Sequence, residues 1–429
     1  EKFMRYMEFR QKVLDPIRNY ELPVISLKKE TSKQAVCLVF EKVNTGGVPL
    51  SVFELITATW AADGFEMDGF NNLRDYWFGG KGKSGRYAHL AKRPLLRDLQ
   101  PTDFLQGVSL HHSFEQRTQD IKAGRSGKEV ASVTAKREHV LEMQLSAFEK
   151  WAEPLTNGYE QAERFLRSEG FHHPKFLPYR TQITPLASVL ARLEDRWLEP
   201  QIKSKLARWF WCGVLGELYG GAVETRIALD VQQLLAWVYD PSAPEPATVQ
   251  AASFNPNRLD TLRSRTSAAY RGLYILLQRE GARDFFWADK MANLDLDDVK
   301  LDIHHIFPKK WCEDRNPVIQ PRIYNAIVNK TAISYKANRM IGGKAPSQYL
   351  AQIQGHAQVK INNAEMNEIL SSHLIDPSAL RSDSFEAFYS MRKSALLALV
   401  ERTMGKSALD ASIVADENDD EFDDEGDST

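Results

Sequence analysis

Between about Glu138 and Tyr239 the apolar residues return at helical spacing with almost no interruption, and a run of that length buries itself by packing helix on helix. Trp197, Leu206, Trp209, Phe210, Val214 and Leu218 suit a buried helix, and Gly213, Gly216 and Gly220 leave room for close neighbours. The same spacing predicts a helix from Glu1 to Tyr20 ending near Pro16, one over Ser32–Val43, and one from Asn257 to about Glu280. Leu22–Leu27 reads as a short β-like run and Asn44-Thr45-Gly46-Gly47 as a turn. Ser51 and Glu54 stand at capping-box spacing before a helix carried by Leu55, Ile56 and Thr59 to about Ala62. The expected fold class is therefore mainly α, a multidomain chain of helical bundles. At 429 residues and 48.8 kDa it is too long for one ordinary core. Boundaries are expected near 120, near 250, where the Pro/Ala/Ser-rich stretch 241–246 makes a connection, and near 405.

Several function classes drop out. The longest apolar stretch, Trp209–Val223, is broken by Glu217 and by glycines and falls short of the roughly 20 residues a membrane span needs. Cys37, Cys212 and Cys312 lie far apart, which excludes a local thiolate zinc site and points to a reducing compartment, expected to be the cytoplasm. Gly82-Lys83-Ser84 fails the phosphate-loop pattern because Trp77 stands where the first glycine belongs, and Gly127-Lys128 fails because Lys122 does. The chain begins at Glu1, so a fragment or processed product lacking an N-terminal part is expected. Nine carboxylates between Asp416 and Asp427 read as a solvated, disordered tail; setting them aside leaves 55 basic against 48 acidic side chains, a body of net +7 that suits a phosphate partner. The basic stretch 79–97, with Trp77, Phe78 and Tyr87 beside it, reads either as a stacking surface for nucleic acid or as a solvated loop flanked by core aromatics.

The segment richest in chemistry is Asp302-Ile303-His304-His305-Ile306-Phe307-Pro308, followed by Asn329-Lys330-Thr331-Ala332-Ile333 and by Asn338-Arg339-Met340-Ile341-Gly342. Adjacent histidines on an extended strand point to opposite sides, and if the strand ends between them one can face a metal while the other faces a water. A neutral imidazole, with a pKa near about 6.5, takes a proton from water at cellular pH. Lys309, Lys310, Lys330, Lys336, Arg339 and Lys344 surround the motif as a phosphate track requires. The pairs His111-His112 and His172-His173 lack any partner pattern and read as structural histidines.

In its order and spacing, with Asn338 nine positions after Asn329, this constellation resembles the HNH or ββα-metal nuclease motif. The resemblance implies a small ββα-metal core in which His305 is the general base and His304 and Asn338 are ligands of Mg²⁺ or Mn²⁺. It also implies that Asn329 ties the two strands together through backbone hydrogen bonds and that Asp302 adds charge near the metal. A second stretch, Phe40–Ser51 with Glu54-Leu55 after it, resembles modification-dependent restriction proteins of the GmrSD type and SspE-like anti-phage proteins, as does His305-Ile306-Phe307-Pro308. That family implies the C-terminal part of a ParB-like nucleotide-binding or regulatory module over 1–120, a helical domain over 121–250 and an HNH nuclease domain over 251–405, which leaves 406–429 to the acidic tail. The family's Asp-Gly-Gln-Gln-Arg nucleotide signature is absent, which puts nucleotide hydrolysis by this chain in doubt. The implied activity is metal-dependent nicking or cleavage of foreign DNA, leaving a 5′-phosphate and a 3′-hydroxyl. An inactive DNA-binding module, a nucleotide-switched regulatory module and an RNA substrate stay open at this point.

Overall fold

The computed structural model of the protein describes residues 2–21, 24, 26, 39, 50–221, 223–291 and 302–408, with Asp302 described by its backbone alone. The expected helix Ser32–Val43 (Val39 apart), the turn at 44–47, Cys37 and the acidic tail lie outside the described residues. The chain divides into two compact units, Glu1–Ser51 and Val52–Thr429. In the first, α1 (Lys2–Phe9) runs through a π turn (Arg10–Leu14) into α2 (Asp15–Arg18). The wider turn falls just before Pro16, whose missing N–H leaves the regular ladder a rung short.

The second unit is mainly helical and opens with α3 (Val52–Ala62) and α4 (Leu73–Phe78), the latter capped by Asn72, whose side-chain oxygen accepts from the Asp75 N–H at 2.8 Å. Strands β1 (Gly79–Gly80) and β2 (Lys83–Ser84) form a tight hairpin whose turn residues Lys81 and Gly82 both have positive φ. After α5 (Arg86–Leu90), the basic stretch 79–97 resolves toward the second of its two readings. Trp77 is buried, with its ring 5.0 Å from Phe104 and 6.1 Å from Tyr87, and Arg86 is paired with Asp68 and Glu153.

The helical run expected from 138 to 239 is α7 (Arg137–Glu142), α8 (Leu145–Ser168), α9 (Ile183–Leu193), α10 (Pro200–Leu215) and α11 (Val223–Tyr239), packed with α6 (Pro101–Lys122). Helices α8 and α9 touch backbone to backbone: a Cβ on Gly158 would lie 2.3 Å from the Ala187 carbonyl oxygen. Gly213 likewise admits the Gln182 amide, at 2.5 Å from where a Cβ would be, whereas Gly220 meets nothing nearer than 4.0 Å, so only part of the expected glycine packing is used. The 241–246 stretch joins α11 to α12 (Ala247–Ala251) within the second unit, where Glu245 pairs with Arg208 on α10. The helix expected over 257–280 is interrupted: α13 (Arg258–Thr261) ends before α14 (Ala268–Arg279), which Ser267 caps.

Beyond α14 the chain builds a second buried cluster, centred on Phe285, Phe307, Tyr349, Leu370 and Phe388. Its elements are β3 (Asp302–His305), α15 (Lys309–Glu313), α16 (Pro321–Tyr324), β4 (Lys330–Ile333), α17 (Tyr335–Ile341), α18 (Pro346–Gln354), α19 (Asn363–Ser372), α20 (Pro377–Arg381) and α21 (Phe385–Met404). Strands β3 and β4 are antiparallel, pairing Asp302 with Ile333, Ile303 with Ala332, His304 with Thr331 and His305 with Lys330. Helix α21 buries Phe385 and Phe388 in this cluster and Leu396, Leu399, Val400 and Met404 in the larger one. No described helix is long and apolar enough to cross a membrane.

Candidate active site

Strand β3 carries both histidines, so its end falls after His305 and not between the two. Directly opposed residues of an antiparallel pair share a face, which puts His304 beside Thr331 and His305 beside Lys330 on the other side. The ladder continues one step beyond the strand, because the Ile306 N–H donates to the Asn329 carbonyl at 2.8 Å. Asn329 is fully buried, and its amide holds three backbone groups: Oδ1 accepts from the Phe307 N–H, and Nδ2 donates to the carbonyls of Phe307 and Tyr324, each at 2.9 Å. One side chain thus joins the exit of β3, the entry to β4 and the end of α16.

His305 is half-buried. Its Nε2 lies 2.9 Å from Asn325 Oδ1, and its ring meets Tyr324 edge-on with centroids 5.9 Å apart. Tyr324 is itself buried and donates its hydroxyl to Glu313 at 2.8 Å.

The sheet is fixed from behind by buried polar groups. Tyr349 donates its hydroxyl to the Ile306 carbonyl at 3.0 Å. Arg392, fully buried, donates to the carbonyls of Val328 at 2.6 Å, Lys330 at 2.9 Å and His373 at 3.2 Å. Burial pulls its guanidinium down to about 9. The neutral His373 ring accepts from Thr331 at 2.7 Å through Nδ1 and donates to the Arg283 carbonyl at 2.7 Å through Nε2. Burial is the main cause that lowers its pKa to about 4. Asp284 binds the N–H (2.6 Å) and hydroxyl (3.0 Å) of Ser334. Ser334 in turn caps α17, the helix that carries Asn338 in its second turn. Asn338 is half-buried.

No protein-family profile matches the chain. It is similar to the uncharacterized protein MJ0686 of Methanocaldococcus jannaschii, at 23% identity over 373 residues, which cover 84% of this chain. The chain spans 58% of that relative's length.

Among the described residues no three His, Cys, Asp or Glu side chains cluster as a metal cage. The ligand set expected from the sequence is of another kind, one imidazole from His304 and one amide oxygen from Asn338, with Asp302 alongside. Of the six expected phosphate contacts, Lys309, Lys310, Arg339 and Lys344 are exposed. The Lys310 stem lies across Gly343, and Lys344 is hydrogen-bonded to Gln352. Lys330 donates to the Arg263 carbonyl at 3.2 Å. Lys336 turns toward Gln358 at 2.7 Å and stands 4.3 Å from the Phe286 ring centroid. Asn325, Tyr324, Asp284 and Arg392 carried no signal in the sequence pattern, because each meets the site from an element with no motif of its own. His111 is buried and stacks on Trp151 at 4.6 Å, and His173 caps a 3₁₀ turn through the Lys175 N–H, so both have structural settings.

Proposed function

We propose that the chain is a metal-dependent DNA endonuclease or nickase with a ββα-metal core of the HNH type. The observation that carries the reading is the Asn329 clamp, which ties the end of the His304-His305 strand to the returning strand and to the His305 cradle. The order of elements supports it as well, since β3, β4 and α17 follow one another with the histidines on the first strand and Asn338 on the helix.

His305 takes the proton of a water molecule on a ring nitrogen. The water oxygen then forms a bond to phosphorus as the bond between phosphorus and the 3′ oxygen breaks. The departing oxygen gains a proton from solvent, leaving a 3′-hydroxyl and a 5′-phosphate. His304 and Asn338 would hold Mg²⁺ or Mn²⁺ with Asp302 nearby; a nitrogen and an amide oxygen that leave positions for water suit those ions. When bound, such an ion supplies positive charge to the phosphate and to the leaving oxygen. Lys309, Lys310 and Arg339 offer exposed cations for the DNA backbone.

The biological setting we propose is modification-dependent restriction of foreign DNA, on the strength of the Phe40–Leu55 and His305–Pro308 resemblances. Plain and base-modified plasmids incubated with Mn²⁺, Mg²⁺ or chelator test it. Metal-dependent breakage weighted toward modified DNA is expected. Retention of DNA without breakage under every ion would make the chain a binding module.

A further inference from the structure

We infer that Asn325 is the positioning residue for His305, holding its imidazole in the tautomer protonated on Nε2 so that Nδ1 carries the lone pair. The inference deepens the nuclease reading and rests on it for its catalytic meaning, while its structural content stands on geometry alone. An amide oxygen can only accept, so the 2.9 Å approach of Asn325 Oδ1 to Nε2 requires Nε2 to be the donor. A neutral imidazole has one proton, which leaves Nδ1 as the acceptor.

The acceptor is itself placed by the fold. The Asn325 N–H donates to the Pro321 carbonyl at 3.0 Å, closing the single turn of α16. The carbonyl just before it, that of Tyr324, is taken by Asn329 Nδ2 at 2.9 Å, which fixes the plane of the Tyr324–Asn325 peptide. The Tyr324 ring packs edge-on against His305, and its hydroxyl is anchored on Glu313. Asn329 therefore grips the strand exit beyond His305 through Phe307 and the His305 cradle through Tyr324, and Asn325 turns that grip into the orientation and protonation pattern of one ring.

The test uses the full chain with ¹⁵N-labelled histidine, above the pH at which imidazole is protonated, with the His305 resonances assigned by their loss in His305→Gln. Wild type should show a protonated Nε2 and an unprotonated Nδ1. Asn325→Leu, similar in size without an acceptor, should lose that pattern, and Asn325→Asp, which keeps the acceptor, should retain it. On plasmid, Asn325→Leu should lower kcat by ~10–100-fold with KM unchanged, and Asn325→Asp should recover most of it. A wild-type ring protonated on Nδ1, or an unchanged ring in Asn325→Leu, overturns the inference whatever the cleavage result. A tautomer that responds as stated in a chain that never cuts DNA upholds the positioning and removes the nuclease reading instead.

Discussion

Asn329 shows how much a single amide carries here. Replacing it with alanine leaves the Phe307 N–H and the carbonyls of Phe307 and Tyr324 without their side-chain partner inside a buried site. With each such loss worth about 1 kcal/mol or more, Asn329→Ala should cost about 3 kcal/mol, read as a lower urea midpoint. The spacing of Asn329 from His305 and Asn338 was legible as a motif; its three partners were not, because they depend on how the chain folds back across the loop between the strands. His373 offers a second reading at this scale. Its pKa falls from 6.5 unfolded to about 4 folded, so between those values the unfolded chain binds a proton that the folded chain refuses. The stability it contributes is whole above pH 6.5 and is lost as pH falls through 4, amounting to about 3 kcal/mol for that shift. His373→Gln should flatten that part of the acid limb relative to wild type in urea melts at successive pH values. His111, whose pKa is also pushed down by burial, contributes equally to both proteins and drops out of the difference.

At the scale of elements, helix α17 depends on its first residue contact. Ser334 caps it, donating to and accepting from groups that Asp284 and Ala337 supply. Ser334→Ala should destabilise the helix by about 1 kcal/mol and speed amide exchange at 335–341 ahead of the rest of the unit. The partner that anchors this cap was hidden in the sequence, since Asp284 lies 50 residues upstream. Close helix contact was easier to anticipate in kind than in place. Gly213, Gly216 and Gly220 drew attention, yet the tightest helix-to-helix approach is at Gly158 on α8, where a Cβ would lie 2.3 Å from a backbone oxygen. Gly158→Ala should force α8 away from α9 and lower the melting temperature by several degrees, a larger effect than Gly220→Ala, which meets open space.

Across the whole molecule, helical periodicity foretold the mainly α architecture because buried faces repeat along the chain within each helix. It failed where tertiary contact decides: the helix expected over 257–280 breaks between α13 and α14, and only the fold chooses between the two readings of the basic stretch beside Trp77 by burying that ring. The site was legible as far as its motif residues on β3, β4 and α17. Its support from Asn325, Arg392 and Asp284 comes from separations of 20, 64 and 50 residues, which no local pattern records. In the proposed reaction His305, on the strand held by Asn329, activates water for DNA cleavage. Its most direct measurement is the nicking of supercoiled plasmid by wild type and His305→Ala, each with Mn²⁺ or with chelator, alongside DNA retention in a gel. Open circles are expected from wild type only when metal is present, and none from His305→Ala although that variant still retains DNA. Nicking by His305→Ala at the wild-type rate would contradict it.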